Sequence, residues 1–191
     1  MTDPKPLRIW DGLGALGRCV VGTARLIATG RLHEPRINVG RHVRWADGTS
    51  STVYRETVAD VIPTDTPTTL VVSFRLRGVR SDRLHRLFRL ESELNTILFA
   101  GFPGFVSKLW FADDERGVYR GLYDWHDPAS AEAYVRALWW ALIVVSERPS
   151  IHYIVLPGIR RDDLLELHVA DDVVPDGLTA WWRPDAFQAP S

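Results

Sequence analysis

The sequence between Leu70 and Gly158 predicts an α+β domain, because its hydrophobic patterns follow the order strand, helix, strand, strand, helix, strand. Two-residue alternation is typical of half-buried strands, and apolar residues spaced at about 100° per residue indicate amphipathic helices. This order is the β-α-β-β-α-β, or ferredoxin-like, arrangement of an antiparallel sheet with two helices on one face. Many unrelated functions use this arrangement, so it predicts a fold and not a reaction.

Each element of this unit has a local signal. The four predicted strands cover 70–76, 105–112, 118–125 and 151–156, and the first of them alternates Leu, Val, Phe and Leu with Val, Ser and Arg. Ser81 is the predicted N-cap of the first helix, which ends near Leu98. Asp127 and Pro128 begin the second helix, which continues to about Ser146.

The chain divides into three segments. Residues 1–62 are predicted to be an extension made of a helix over 12–29 and a β-hairpin around Asp47-Gly48. Residues 68–158 form the ferredoxin-like domain, and 159–191 form a tail that packs on the domain or on a partner. The half of the second helix from Ala137 to Val145 is apolar on nearly every side, which is typical of a helix covered all round. We therefore expect the N-terminal helix, the tail or a second subunit to cover it.

Composition excludes several classes of protein. The 191 residues carry 23 basic and 24 acidic groups, without the basic excess of a nucleic-acid-binding protein. The single cysteine, Cys19, excludes an intramolecular disulfide, and no stretch has the pattern of a signal peptide or a membrane span. We expect a cytoplasmic protein. All but two of the basic residues are arginine, which suggests a bacterial genome rich in G and C.

Two motifs suggest nucleotide or RNA binding, and both lack their context. Gly12-Leu13-Gly14-Ala15-Leu16-Gly17 matches the dinucleotide fingerprint G-x-G-x-x-G, but a hairpin follows it instead of a crossover to a parallel strand. We interpret these glycines as positions of close helix packing. Arg120-Gly121 resembles the start of an RNA-recognition strand, but Leu122 stands where a stacking aromatic residue is required.

Two polar residues on the first predicted helix are the candidates for chemistry. Glu91 and Asn95 lie one turn apart within an arc that is otherwise apolar, formed by Leu84, Leu87, Phe88, Leu94 and Leu98. A carboxylate that points into an apolar space is costly and its pKa rises, so it is either satisfied by a partner or kept for catalysis. A structural hydrogen bond is the competing interpretation of Glu91.

The strands offer further candidates. Lys108 and Trp110 share one face of the second strand; Tyr119, Tyr123 and Trp125 share one face of the third; His152 lies on the face of Ile154 and Leu156. The sequence leaves open which of these faces meet. Aromatic walls with a few polar groups are typical of small-molecule sites, although a packed core is the commoner reason for such rings. No cluster has the spacing of a metal site.

Three segments resemble the dimeric α/β-barrel superfamily, and within it the small monooxygenases related to antibiotic-biosynthesis monooxygenases. They are Gly104–Trp110, Gly121-Leu122-Tyr123 and Ala131-Glu132-Ala133-Tyr134. The resemblance covers about residues 68–158. It implies a homodimer whose sheets pack face to face, with a pocket between sheet and helices, and in several members oxidation of polycyclic phenols by oxygen without metal or flavin. The second helix lacks the His of the haem-degrading relatives.

The sequence and the resemblance together predict a small-molecule enzyme, a cofactor-independent monooxygenase of an aromatic or polyketide-like substrate. Glu91 or His152 would be the base, while Asn95, Lys108 and Trp110 would hold the resulting anion. Tyr119, Tyr123 and Trp125 would line the pocket. A cyclase or isomerase with the same base and a non-catalytic protein that binds hydrophobic ligands or serves assembly are the alternatives. We expect a homodimer, and neither a metal, a cofactor nor a nucleic-acid partner.

Overall fold

A computed structural model describes residues 8–62, 64–78, 96, 99–166 and 181–188 of the chain. It has three α-helices in these ranges: α1 (Ile9–Ala28), α2 (Pro128–Val145) and α3 (Arg161–Leu165). The eight strands are β1 (Leu32–His33), β2 (His42–Trp45), β3 (Ser50–Ala59), β4 (Thr68–Arg75), β5 (Phe105–Phe111), β6 (Val118–Trp125), β7 (His152–Pro157) and β8 (Pro184–Gln188). The helix predicted over 81–98 lies outside the described residues, apart from Thr96.

All eight strands belong to one curled antiparallel sheet. Its order is β7-β4-β6-β5-β3-β2-β8, with β1 paired to β3. The four strands β7-β4-β6-β5 are those predicted for the ferredoxin-like unit; β4 pairs with β6 over its whole length and with β7 over residues 68–73. The structure is thus a mixed α+β fold consistent with a ferredoxin-like arrangement.

The N-terminal hairpin extends this sheet. Strands β2 and β3 form the hairpin predicted around Asp47-Gly48, and β3 also pairs with β5. β2 pairs in turn with β8 from the tail. The sequence predicted the hairpin but neither its pairing with the sheet nor strand β8, because pairing between distant segments leaves no local signal.

Strand alternation gives the sheet two buried faces. The helix face packs against α2 and contains, among others, Leu70, Val72, Trp110, Tyr123 and Trp125. The tail face contains Val71, Leu109, Leu122 and Leu156, and it is covered by Trp45, Leu164, Leu165, Trp181 and Trp182. The described tail residues Leu164, Leu165, Trp181 and Trp182 therefore pack on this face of the sheet.

This covering bears on the expected dimer. Sheets that pair face to face between subunits need a bare apolar face, but Leu109 and Leu122 on the tail face are already fully buried within one chain. Pairing through this face would bury no further surface of these two side chains. The homodimer stays a prediction.

The interpretation of the motif glycines as positions of close helix packing holds for Gly12, which lies beside α2; a side chain at Gly14 would meet Arg18 of the same helix, and one at Gly17 would meet nothing within 4 Å. The helix begins at Ile9, so Gly12, Gly14 and Gly17 lie within it and not in a loop before it. A side chain at Gly12 would meet the Trp140 ring of α2 at 3.6 Å. At its centre, α1 packs against Gly101, whose amide donates a 2.7 Å hydrogen bond to Thr23 Oγ1.

Replacing Gly101 by alanine is expected to detach α1. The added methyl group would overlap the carbonyl oxygen of Cys19 and the amide nitrogen of Thr23, which are backbone atoms that cannot turn aside. Overpacking of this kind costs roughly 1–3 kcal/mol or more of the free energy of unfolding. Urea unfolding followed by far-UV circular dichroism measures this loss.

Gly17→Ala is the matched control, because nothing lies within 4 Å of the methyl group that it adds to the same helix. It is expected to stabilise the protein by about 0.5–1 kcal/mol through helix propensity. Equal effects of the two substitutions would contradict the close contact at Gly101.

The expected covering of α2 is only partly correct. α1 covers one side of it, but Trp140 is 38% exposed, Val145 46% and Val144 72%. The apolar residues of the tail that the structure describes, among them Leu164, Leu165, Trp181 and Trp182, lie on the opposite face of the sheet. None of the helices in the described ranges is long and apolar enough to cross a membrane.

Candidate functional site

A buried lysine lies at the centre of the helix face. Lys108 on β5 is 5% exposed, and its Nζ lies 3.0 Å from the centroid of the Trp110 ring, 4.5 Å from that of Phe99 and 4.6 Å from that of Tyr123. A cation above aromatic rings is attracted by their negative faces. Within the described ranges, Nζ has no hydrogen bond or ion pair.

Strand geometry explains how the lysine enters this space. Lys108 and Trp110 are two residues apart on β5 and point to the same face, and Lys108 pairs with Tyr123 across the β5–β6 ladder. Gly121 faces Trp110 in that ladder. A side chain at Gly121 would lie 2.8 Å from Tyr123 Cε2 and 3.2 Å from Lys108 Cε. The missing side chain thus leaves room for both residues.

Burial lowers the pKa of Lys108 well below its ordinary value, and the Arg55 guanidinium lowers it further. Removing an ammonium group from water disfavours its charged form, and no carboxylate of the described part of the chain offsets this. A lysine whose pKa is lowered has a larger neutral fraction at a given pH than an ordinary lysine has. Its neutral amine can accept a proton, which the charged amine of an ordinary surface lysine cannot.

Two tyrosines close the site on the side of α2. Tyr134 Oη donates a 3.4 Å hydrogen bond to Tyr123 Oη. Burial raises the pKa of both phenols, so they remain protonated and neutral. Trp125 packs 4.9 Å from Tyr134 between ring centroids, and Tyr119 stacks on Phe74 at 5.9 Å.

The candidate residues predicted on strands β5 and β6 therefore lie on the same face of the sheet. Lys108, Trp110, Tyr119, Tyr123 and Trp125 all lie on the helix face, which the sequence left open. Tyr119 and Trp125 make aromatic contacts within the core. The structure adds residues that the sequence did not single out, namely Tyr54, Arg55, Thr57, Phe99, Gly121 and Tyr134.

The guanidinium of Arg55 lies at the edge of the site, where hydrogen bonds hold it. Arg55 Nη2 donates a 2.6 Å hydrogen bond to Thr96 Oγ1, its Nε donates to Glu34 Oε1 at 3.0 Å, and its guanidinium lies 5.4 Å from the Trp110 ring. Trp110 Nε1 donates to Thr57 Oγ1 at 3.2 Å. The hydrogen bond to Thr57 holds the Trp110 ring that Lys108 contacts. Arg55 sits in a β-bulge opposite Trp110, and no sequence signal marks that bulge.

His152 lies apart from this site. It pairs with Ser73 on β4 and points to the tail face, where its ring lies 5.8 Å from that of Trp181. Partial burial lowers its pKa. The sheet separates His152 from Lys108, so the two cannot act on one substrate atom in this arrangement. The placement beside Ile154 and Leu156 is the predicted one.

Glu91 and Asn95 lie outside the described residues, and their catalytic roles stay predictions. The chain that follows them contacts the site, because Thr96 bonds to Arg55 and the Phe99 ring lies 5.1 Å from that of Trp110.

Two buried charge networks occupy the tail face. Arg161 of α3 pairs with Glu56 at 3.0 Å, and its amide donates to Asp124 at 2.7 Å. Arg120 binds Asp114 at 2.6 Å and Asp47 at 2.8 Å. Their groups are largely paired, which indicates a structural role. The described residues contain no cluster of His, Cys, Asp and Glu that could hold a metal ion.

Comparison with known proteins gives distant likenesses of fold. No protein-family model and no curated protein matches the chain. The solved structures to which it is similar include a ferredoxin-fold protein from Listeria monocytogenes 4b F2365, related to antibiotic biosynthesis monooxygenases, with 11% identity and a TM-score of 0.42. That match covers 56% of this chain and 63% of the Listeria protein, less than two thirds of its length.

A second similar structure is that of a major regulator of staphylococcal pathogenesis. It has 16% identity and a TM-score of 0.38, and the match covers 59% of this chain and 69% of that one. Likenesses this distant carry no argument about activity. The function is therefore argued from the residues of the site.

Proposed function

We propose that this protein is a small-molecule enzyme in which Lys108 takes a proton from a phenolic or enolic substrate bound between the helix face and the helices above it. The observation that supports this proposal is a buried amine, on a residue 5% exposed, among Trp110, Phe99 and Tyr123, without a hydrogen bond or ion pair in the described part of the chain. An unpaired buried amine costs stability, and function is a reason to keep one.

In the proposed proton transfer, the substrate is the donor and Lys108 is the acceptor. The substrate O–H gives its proton to the neutral Nζ of Lys108, which leaves a phenolate or enolate beside a new ammonium group. In a water-poor space these opposite charges attract strongly, so the lysine that accepts the proton also stabilises the anion. Arg55 adds a second positive charge at the rim. The aromatic walls of the site match a polycyclic substrate.

The proposed reaction of this anion is monooxygenation without a cofactor. The electron-rich carbon of the anion reacts with molecular oxygen; one oxygen atom becomes a carbonyl of the product and the other leaves as water. We further propose that the helix predicted over 81–98 completes the ferredoxin-like unit, with Glu91 and Asn95 hydrogen-bonded to the substrate. His152 has no part in this scheme, because it lies on the other face of the sheet.

Oxygen uptake with polycyclic phenols tests the proposal. Using anthrone and 2-naphthol as probes, we expect oxygen consumption by the unaltered protein and at least a hundredfold loss in Lys108→Met, since general bases contribute on the order of 10²–10⁴-fold. His152→Ala, a substitution on the tail face, is the control and should retain the rate. Unchanged turnover in a folded Lys108→Met protein would contradict the role of Lys108.

The same site can support a cyclase or isomerase, because the proton transfer does not itself need oxygen. Turnover of the probe under strict anaerobic conditions, lost in Lys108→Met, would favour this second function. Ligand binding without turnover in either atmosphere would leave the protein as a hydrophobic-ligand-binding module.

A further inference from the structure

Helices α1 and α2 together present an apolar surface that the rest of the described chain does not cover. Its largest members, which we call the helix patch, are Trp10, Leu13, Val20, Val21 and Ile27 of α1 and Trp140, Val144 and Val145 of α2. The two helices contribute to one surface, because Gly12 of α1 lies against Trp140 and Ala137 of α2. Exposed apolar areas of this extent mark interaction sites.

The charges beside the patch are mostly positive. Arg18 and Arg25 lie seven residues apart along the edge of α1 that turns away from α2, Arg8 caps the helix, and all three are exposed. Among the described residues, neither Arg18 nor Arg25 has an ion-pair partner. Asp11 is the acidic residue on that edge of the helix.

We propose that the helix patch binds the surface of an anionic lipid membrane, with α1 lying in the plane of the interface. An interfacial helix buries one apolar face among the acyl chains and keeps arginines at its flank, where they meet lipid phosphates. Trp10 and Trp140 add the residue type that prefers the headgroup level.

Charge favours a lipid surface over a second copy of this chain. An isologous contact in which two copies of α1 pack antiparallel brings the same edge of each helix together. That contact would juxtapose Arg18 and Arg25 of both copies with few acids to pair them. An anionic membrane complements the same charges, and its binding weakens as salt screens them.

Cosedimentation with vesicles tests this proposal. We expect the protein to bind vesicles of phosphatidylcholine mixed with phosphatidylglycerol and to bind vesicles of phosphatidylcholine alone several-fold more weakly. The double variant Leu13→Ser/Val21→Ser should reduce the binding by roughly tenfold or more, because it removes two apolar side chains from the buried face. Arg18→Gln/Arg25→Gln should remove the preference for the anionic lipid.

Ile37→Ser is the matched control, since Ile37 is 80% exposed but lies outside both helices. It should bind vesicles like the unaltered protein, and thermal unfolding should show that all variants remain folded. Absence of binding to anionic vesicles would overturn the proposal. So would a protein dimer, seen by light scattering, that Leu13→Ser/Val21→Ser dissociates while vesicle binding is unchanged. The outcome is independent of turnover at Lys108.

Discussion

Replacing Arg120 by methionine is expected to cost about 3–5 kcal/mol of the free energy of unfolding, the range for breaking a buried ion pair by removing one partner. The Arg120 side chain is 2% exposed and binds the fully buried carboxylate of Asp114, the side chain of Asp47, and the carbonyl oxygen of Trp181 at 3.2 Å. The substitution leaves Asp114 charged and without its guanidinium. Urea unfolding measures the loss.

Arg44→Met is the matched control for this loss. Arg44 forms a 2.9 Å ion pair with Asp185, but both side chains are more than half exposed. Such surface pairs contribute about 0–1 kcal/mol. A loss in Arg120→Met as small as that in Arg44→Met would show that burial does not strengthen the Arg120 network.

The ion pair of Arg120 with Asp114 also predicts that the protein loses stability in acid. Burial alone would raise the pKa of Asp114, but the hydrogen bonds from the Val118 amide and from Arg120 outweigh it and lower the pKa below 3.8. Because the folded state binds the proton less tightly than the unfolded state, this stabilisation is present above the unfolded pKa. It is lost as the pH falls through the folded pKa. In Arg120→Met, stability should depend less on pH in this acid range.

Replacing Lys108 by methionine is expected to stabilise the protein at pH 7 by roughly 1–3 kcal/mol, the cost of a buried donor without a partner. Methionine has a similar length and an apolar end that suits the rings of Trp110, Phe99 and Tyr123. The gain in stability should accompany the loss of turnover. Functional residues commonly lower the stability of the protein while they provide its activity.

The pH dependence of this gain follows from the lowered pKa of Lys108. Between the folded pKa and about 10.4, the ordinary value for lysine, the unfolded state binds the proton and the folded state does not. The unaltered protein should therefore become more stable as the pH rises through that window, and the advantage of Lys108→Met should shrink. Urea unfolding at pH 7 and pH 9.5 measures the two slopes. Destabilisation by Lys108→Met would instead indicate a carboxylate partner for the amine.

Local patterns predicted strands β4 to β7, the hairpin of β2 and β3, and helix α2. The alternation in β4, the Asp-Gly turn of the hairpin and the cap at Asp127 each follow from residues close together in sequence. Asp127 accepts the hydrogen bond from Ser130 that an N-cap makes. The pairing of β3 with β5 and of β2 with β8 joins distant segments whose edges have no sequence signal. The sequence did not predict the exposure of Val144, because a helix that is apolar on all sides gives no sign of which side faces solvent.

The site was predicted in its parts and not in its arrangement. Strand alternation placed Lys108 with Trp110 and Tyr123 with Trp125, but only the β5–β6 register brought the two pairs onto one face. Gly121 could have been found from the sequence, because a glycine within a strand often marks close approach by another group. Phe99 could not, since it follows the predicted helix without a pattern.

The position of β8 at the edge of the sheet, next to β2, has a consequence for folding during biosynthesis. Arg44 and Asp185 are 141 residues apart, yet their strands are direct neighbours. Contacts of such high sequence separation slow folding, because a long loop must close before they form. During synthesis β2 thus waits for a strand that follows it by about 140 residues, and until then its edge beside Val43 and Trp45 stays unpaired and open to chaperones or to aggregation.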